Sequence, residues 1–297
     1  MLSIGSAAVQ RIGYGAMGLE GYYGPSDRDT ALETLIGEAI RQSGRDACVA
    51  TKLGIVFEPD QSGSQLDTGW GFPLTINGST AYVSRAIDNS LQRLRLEAID
   101  LLYAHDPDPG TPLEETVAAM GAAVAAGKVK AIGLSNVTAE QVLQAHAVHP
   151  IAAVQYEYSL FRREAEQSLL PAIRSISALM VCWSPLGAGV LTGQLPELTS
   201  EDFRRFNPKL QDENLSANRE RLEGIQALAR RLAITPAQLA LAWLLAQGDT
   251  ILPIPGTRHA SRIDENLAAL TVQLSEADLR ELDALAPVGA FRGATLV

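Results

Sequence analysis

The chain has 297 residues, 46% of them hydrophobic and 20% charged, with a formal net charge of -10. That length and balance suit a sizeable core, and the acidity disfavours nucleic acid or an anionic membrane surface as partner. A phosphorylated cofactor is not excluded, because a local basic patch can hold one against the net charge.

Residues 2–4 and 8–10, either side of Gly5-Ser6, read as a small hairpin able to close one end of a barrel. After them come a strand at 11–15, a helix at 27–40, a strand at 48–53, a helix at 80–93 and a strand at 99–105. The alternation continues with helix 113–126, strand 129–135, helix 139–147, strand 153–159, helix 164–176 and strand 179–185. Helices at 219–232 and 236–247, a strand at 251–255 and helices at 261–270 and 277–285 complete the chain. Several strands are apolar almost throughout, as strands buried on both faces must be. Helix starts carry polar caps, as in Thr235-Pro236 and Ser275-Glu276-Ala277, and Gly127 marks a stop. Strand alternating with helix predicts parallel βα units, hence an α/β fold of the (β/α)8 TIM-barrel type in one domain over residues 1–297.

Only seven strands are recognisable. Eight units share about 250 residues, roughly thirty each, yet a single helical run separates strand 11–15 from strand 48–53. A closed barrel lacking one strand carries two unpaired edges. A seven-strand variant, a unit deleted from the gene and a segment absent from this sequence all remain open.

The two cysteines, Cys48 and Cys182, fall in predicted buried strands, so reduced core thiols are expected and no disulfide. The first residues lack the basic start and apolar run of a secretion signal, and no stretch is long enough to span a bilayer. A cytoplasmic protein without a membrane partner is expected.

Lys52 and His105 close two different predicted strands. The C-terminal rim is where barrels of this kind do chemistry, so both are candidate catalytic residues. Alone, Lys52 also fits a surface ion pair or a Schiff-base lysine. His105 alone fits a core histidine, followed by a strand-ending turn at Asp106-Pro107. His146 and His149 have helical spacing but no carboxylate or cysteine partners, so no metal site is expected.

Several motifs occur in one order along nearly the whole chain: Gly13-Tyr14-Gly15-Ala16-Met17-Gly18, Ala50-Thr51-Lys52-Leu53-Gly54, Ile99-Asp100-Leu101-Leu102-Tyr103-Ala104-His105 and Lys128-Val129-Lys130-Ala131-Ile132-Gly133-Leu134-Ser135-Asn136. They continue with Val154-Gln155-Tyr156-Glu157-Tyr158-Ser159, Trp183-Ser184-Pro185-Leu186-Gly187-Ala188-Gly189 and Ile254-Pro255-Gly256-Thr257. In this the chain resembles the aldo-keto reductase superfamily. The stand-alone bacterial and plant NADP-dependent members are most similar, including the Tyr23-Gly24-Pro25 loop and Phe203-Arg204-Arg205.

The resemblance implies NADPH-dependent reduction of an aldehyde or ketone, a small-molecule carbonyl substrate, and catalytic roles for Lys52 and His105. It assigns Ser135, Asn136 and Gln155 to the nicotinamide carboxamide and Trp183 to the face of the ring, although read by itself Trp183 fits simple core packing equally well. Ser184, Leu186, Gly187 and Gly189 are implied to serve the pyrophosphate, with Gly15 and Met17 also on the cofactor side. Gly256, Thr257 and Arg262 match the 2′-phosphate pocket, and Glu265 and Asn266 the adenine end. Arg262 favours NADP over NAD, because a guanidinium grips phosphate bidentately.

One departure is plain. The family carries a strand ending in a catalytic aspartate, then a loop with a catalytic tyrosine, before a helix that begins like Leu35-Ile36-Gly37-Glu38-Ala39-Ile40. Here Ala31-Leu32-Glu33-Thr34 runs directly into that helix. No residue of this chain matches the aspartate or the tyrosine, which leaves a non-catalytic NADP(H)-binding relative as the alternative.

Overall fold

Two short strands, β1 (Leu2–Ile4) and β2 (Ala7–Val9), pair antiparallel in the expected hairpin. The computed structural model describes residues 2–4, 7–20, 32–57, 61–67, 73–194 and 202–294. The Gly5-Ser6 turn, the Tyr23-Gly24-Pro25 loop and the expected helix start at 27–31 lie outside the described residues. Helix α1 (Leu32–Ser43) precedes β3 (Ala50–Leu53), β4 (Ser64–Asp67) and β5 (Pro73–Ile76). Then α2 (Thr80–Leu94), β6 (Leu101–Ala104), α3 (Leu113–Ala125), β7 (Ile132–Ser135), α4 (Ala139–Val148) and β8 (Ile151–Glu157) alternate. The rest is α5 (Leu169–Ser175), β9 (Leu179–Trp183), α6 (Asp212–Arg231), α7 (Pro236–Ala246), β10 (Ile251–Pro253), α8 (Ala260–Ala268) and α9 (Glu276–Leu285).

Six strands form a parallel sheet in the order β10-β9-β8-β7-β6-β3. Side chains alternate between two apolar layers, as the period of two requires. Leu102, Ile132, Leu134, Val154 and Met180 face outward in the larger cluster, with Ile87, Met120 and Ile173 of the helices. Leu101, Tyr103, Ala131, Ala153, Val181 and Leu252 face inward with Ile4, so the hairpin caps the barrel floor. Tyr103 fills the barrel centre because Gly133 makes room: a Cβ there would lie 2.6 Å from the ring.

Residues 11–15, expected as a strand, join no ladder. They run beside β10 through two bonds, Gly13 N to Pro253 O at 3.0 Å and Gly15 N to Pro255 O at 3.3 Å. The approach is so close that a Cβ on Gly15 would sit 2.5 Å from Ile254 O. Gly15→Ala is therefore expected to destabilise the fold by about 1–3 kcal/mol through overpacking, read as a lower urea midpoint.

Among the described residues, no strand pairs with the other edge of residues 13–15 or with the outer edge of β3. Helix α1 lies against α2: a Cβ on Gly37 would meet Leu94 O at 2.2 Å, and Arg41 Nη1 donates to Leu94 O at 3.4 Å. Glu33 accepts from Thr51 of β3 at 2.6 Å and from Arg93 of α2 at 2.5 Å. Thus α1 is the helix that leads into β3, and it passes unbroken through Thr34-Leu35. The strand that should stand between residues 13–15 and β3 is the one the sequence count found wanting. Cys48, expected in the core, is instead exposed, as is Ala50, because among the described residues no neighbouring strand covers that edge. Cys182 is buried as expected.

Three other differences have local causes. The expected helix 164–176 splits into a turn at Glu164–Glu166 and α5, whose start at Leu169 leaves Pro171 in the first turn, where a missing N–H is harmless. Helix α6 starts at Asp212, seven residues before the predicted 219, because its opening is polar and carries no apolar period. The hairpin β4–β5 was not expected from Ser64-Gln65-Leu66-Asp67; it grows from the end of β3, with Val56 N to Thr75 O and Asn77 N to Gly54 O both at 2.8 Å.

Candidate active site

Lys52 and Tyr103 are register partners on β3 and β6, so the lysine points to the barrel side of the sheet. His105 stands one residue beyond β6, its N–H donating to Leu53 O at 2.9 Å. Desolvation, and then the Lys52 ammonium, push the His105 pKa down to about 3. The imidazole is therefore neutral at pH 7, and the two side chains share one electrostatic neighbourhood.

Asp106, only 6% exposed, belongs to the same group. Its Oδ1 accepts from Asn136 Nδ2 at 2.9 Å. Burial raises its pKa, while the Asn136 bond and the Lys52 charge pull the other way. Asn136 adopts φ +54°, a left-handed conformation that asparagine tolerates better than most residues. Beside it Ser135 and Gln155 are register partners on β7 and β8, both nearly buried. Trp183 closes β9, half-buried, in register with Glu157.

After Trp183 the chain turns through left-handed Ser184 (φ +46°), Gly187 (+58°), Ala188 (+55°) and Gly189 (+102°), with Leu186 partly buried between them. The Gly187 and Gly189 N–H groups are spent within this turn, on Ser184 O at 2.9 Å and Leu186 O at 3.0 Å. Gly187 also has a packing reason, since a Cβ would sit 2.9 Å from Phe161 Cβ. Arg204, held by Asp202 at 2.6 Å, donates to Ala188 O at 3.1 Å and ties the late loop to this turn.

Gly15, Gly256 and Thr257 come together: a Cβ on Gly256 would meet Gly15 O at 2.7 Å, and Tyr14 donates to Thr257 O at 2.6 Å. Close backbone approach explains the glycine at 256. Met17 lies in the turn Ala16–Glu20, 39% exposed. Arg262 and Glu265 form an ion pair of 2.5 Å on α8, and Asn266 is buried beside them. The predicted residues thus fall into a mouth group, a loop group after β9, and a group around residue 256 and α8.

Two functional candidates were not singled out from the sequence. Asp106 read as a turn residue, and only its contact with Asn136 marks it. Glu157 pairs with buried Arg162, whose guanidinium stacks over Tyr156. Both residues lie in mixed stretches, Gln155-Tyr156-Glu157-Tyr158-Ser159 and Phe161-Arg162-Arg163-Glu164, so no local pattern marked the pair. Among the described residues no metal-holding cluster occurs, and no helix is long and apolar enough to cross a membrane.

The sequence profile of the Aldo/keto reductase family matches residues 21–287. The chain belongs to the aldo/keto reductase family. It is 38% identical to a probable aldo-keto reductase 1 of Glycine max over 315 residues, covering 96% of this chain and 88% of the relative. It is also 38% identical over 312 residues to an aldo-keto reductase of Schizosaccharomyces pombe named as NADP(+)-dependent, covering 94% and 89%. Both alignments exceed the 297 residues of the chain, so each relative carries residues without a counterpart here. A solved glycerol dehydrogenase from Gluconobacter oxydans superposes with a TM-score of 0.77 at 25% identity, over 90% of this chain and 81% of that one. As a member of this aldo/keto reductase family, the protein is an oxidoreductase acting on carbonyl compounds.

Proposed function

We propose that this aldo/keto reductase is a single cytoplasmic barrel domain over residues 1–297 that reduces small aldehydes or ketones with NADPH, using Lys52 and His105. The observation that carries this reading is the mouth itself: Lys52 and His105 stand at the ends of the adjacent paired strands β3 and β6, and Ser135, Asn136 and Gln155 lie on the next two strands and just beyond them. The NADP(+) in the name of the Schizosaccharomyces pombe relative supports the choice of cofactor.

The residues present fit such a cofactor. A hydroxyl and two amides supply both donors and acceptors for a carboxamide, and half-buried Trp183 offers a face to a planar ring. Arg262, 49% exposed in its side chain, can turn from Glu265 to a phosphate. When bound, NADPH supplies the hydride. Neutral His105 donates a hydrogen bond to the carbonyl oxygen and orients it. As that oxygen gains negative charge, the Lys52 cation stabilises it and can supply a proton.

NADPH titration followed by fluorescence, and then turnover of a reactive aromatic aldehyde, tests this. Saturable binding with aldehyde-dependent NADPH loss is expected; no binding overturns it. Arg262→Ala is expected to weaken NADPH by about tenfold while leaving NADH affinity nearly unchanged, as loss of a charge-assisted phosphate bond requires. The second reading, binding without turnover, draws on the strand lacking before β3 among the described residues. That strand would have carried the family's aspartate and introduced its tyrosine.

A further inference from the structure

The Asn136–Asp106 contact has chemical consequences beyond packing. Asn136 sits at the end of β7 in a left-handed conformation, its N–H donating to Gln155 O at 3.2 Å. Its side-chain NH2 donates to Asp106 Oδ1 at 2.9 Å. A carboxylate accepts hydrogen bonds only, so this contact decides which way the amide faces: nitrogen toward Asp106, oxygen away from it. The Asn136 oxygen is thereby left as an acceptor. Asp106 is 6% exposed, follows His105 directly in the chain, and lies within the field of the Lys52 ammonium.

We propose that Asp106 is a positioning residue that fixes the Asn136 amide as an acceptor toward the nicotinamide carboxamide and sets a negative charge beside the ring. This rests on reading the mouth as the nicotinamide site. The charge has a sign that can be tested. Oxidised nicotinamide carries a positive ring and reduced nicotinamide does not, so an anion held near it favours NADP+ over NADPH. The field of Lys52 opposes this in part, which makes Asp106 the counterweight that keeps the oxidised cofactor from being repelled.

Asp106→Asn separates charge from hydrogen bond, because the new amide oxygen still accepts from Asn136. Asp106→Ala removes both. Dissociation constants of NADP+ and NADPH are measured by fluorescence titration for the three proteins, with thermal midpoints as a check on folding. The Asn variant is expected to lose NADP+ affinity by roughly threefold to thirtyfold relative to NADPH, the range expected of one unit charge in a partly shielded site. The Ala variant is expected to show the same change in ratio and, in addition, weaker binding of both forms. An unchanged ratio in a folded Asn variant overturns the proposal. If the wild-type protein binds neither nucleotide, the nicotinamide reading fails and the proposal with it.

Discussion

Lys52→Met lowers kcat for aldehyde reduction by about 10²–10⁴-fold while NADPH affinity changes by no more than a few-fold. The magnitude is that of losing a positioned acid, and the split follows from where the lysine sits. Lys52 lies on the barrel side of β3 with Tyr103 as register partner, whereas the residues proposed to hold the nucleotide come from β7, β8, the loop after β9 and α8. Tyr103 cannot take over, since it is 1% exposed beneath the mouth and burial drives its pKa far up. A second readout is independent of turnover. The Lys52 charge contributes to the lowered His105 pKa, so removing it raises that pKa, measurable from the imidazole resonances in an NMR titration. A variant with wild-type kcat, or with an unmoved His105, would remove Lys52 from the mechanism.

Restoring the lacking unit raises turnover by about 10²-fold or more. The insertion point is Thr34-Leu35, where α1 continues without a break from Glu33 into the face that packs on α2. Into this point goes the corresponding strand and loop of the Glycine max relative. The new strand fills the place between residues 13–15 and β3, where neither edge is paired among the described residues. Pairing both edges raises the thermal midpoint, and the aspartate and tyrosine it brings supply a proton more readily than a lone ammonium does. Kinetics with a reactive aromatic aldehyde, and the same insertion with its tyrosine changed to phenylalanine, separate the two effects. If the insertion raises the midpoint but leaves turnover unchanged, the proton donor was already present in the shorter chain.

Most of the barrel was legible because its strands are short apolar runs bounded by polar turns. Residues 99–105 and 179–185 are apolar almost throughout, and both contain strands buried as expected. Residues 11–15 misled because Pro253 and Pro255, which face them, have no N–H to return the bonds that Gly13 and Gly15 donate, so the pairing stays one-sided and joins no ladder. The hairpin β4–β5 escaped notice because its polar strand Ser64–Asp67 owes its place to the end of β3 and not to an apolar period. Lys52 and His105 were readable as strand-ending residues. Asp106 was not, because in sequence it is one polar residue before a proline.

By itself the sequence determined the alternation of strand and helix, the strand-end positions of Lys52 and His105, and that one strand fewer than eight is recognisable. Those depend on local periodicity and on order along the chain. Tertiary structure decided which edges stand open, why 15 and 256 must be glycine, and that Asp106 holds Asn136. Each of these is a contact between segments distant in sequence, and no local pattern encodes the distance at which two such segments meet.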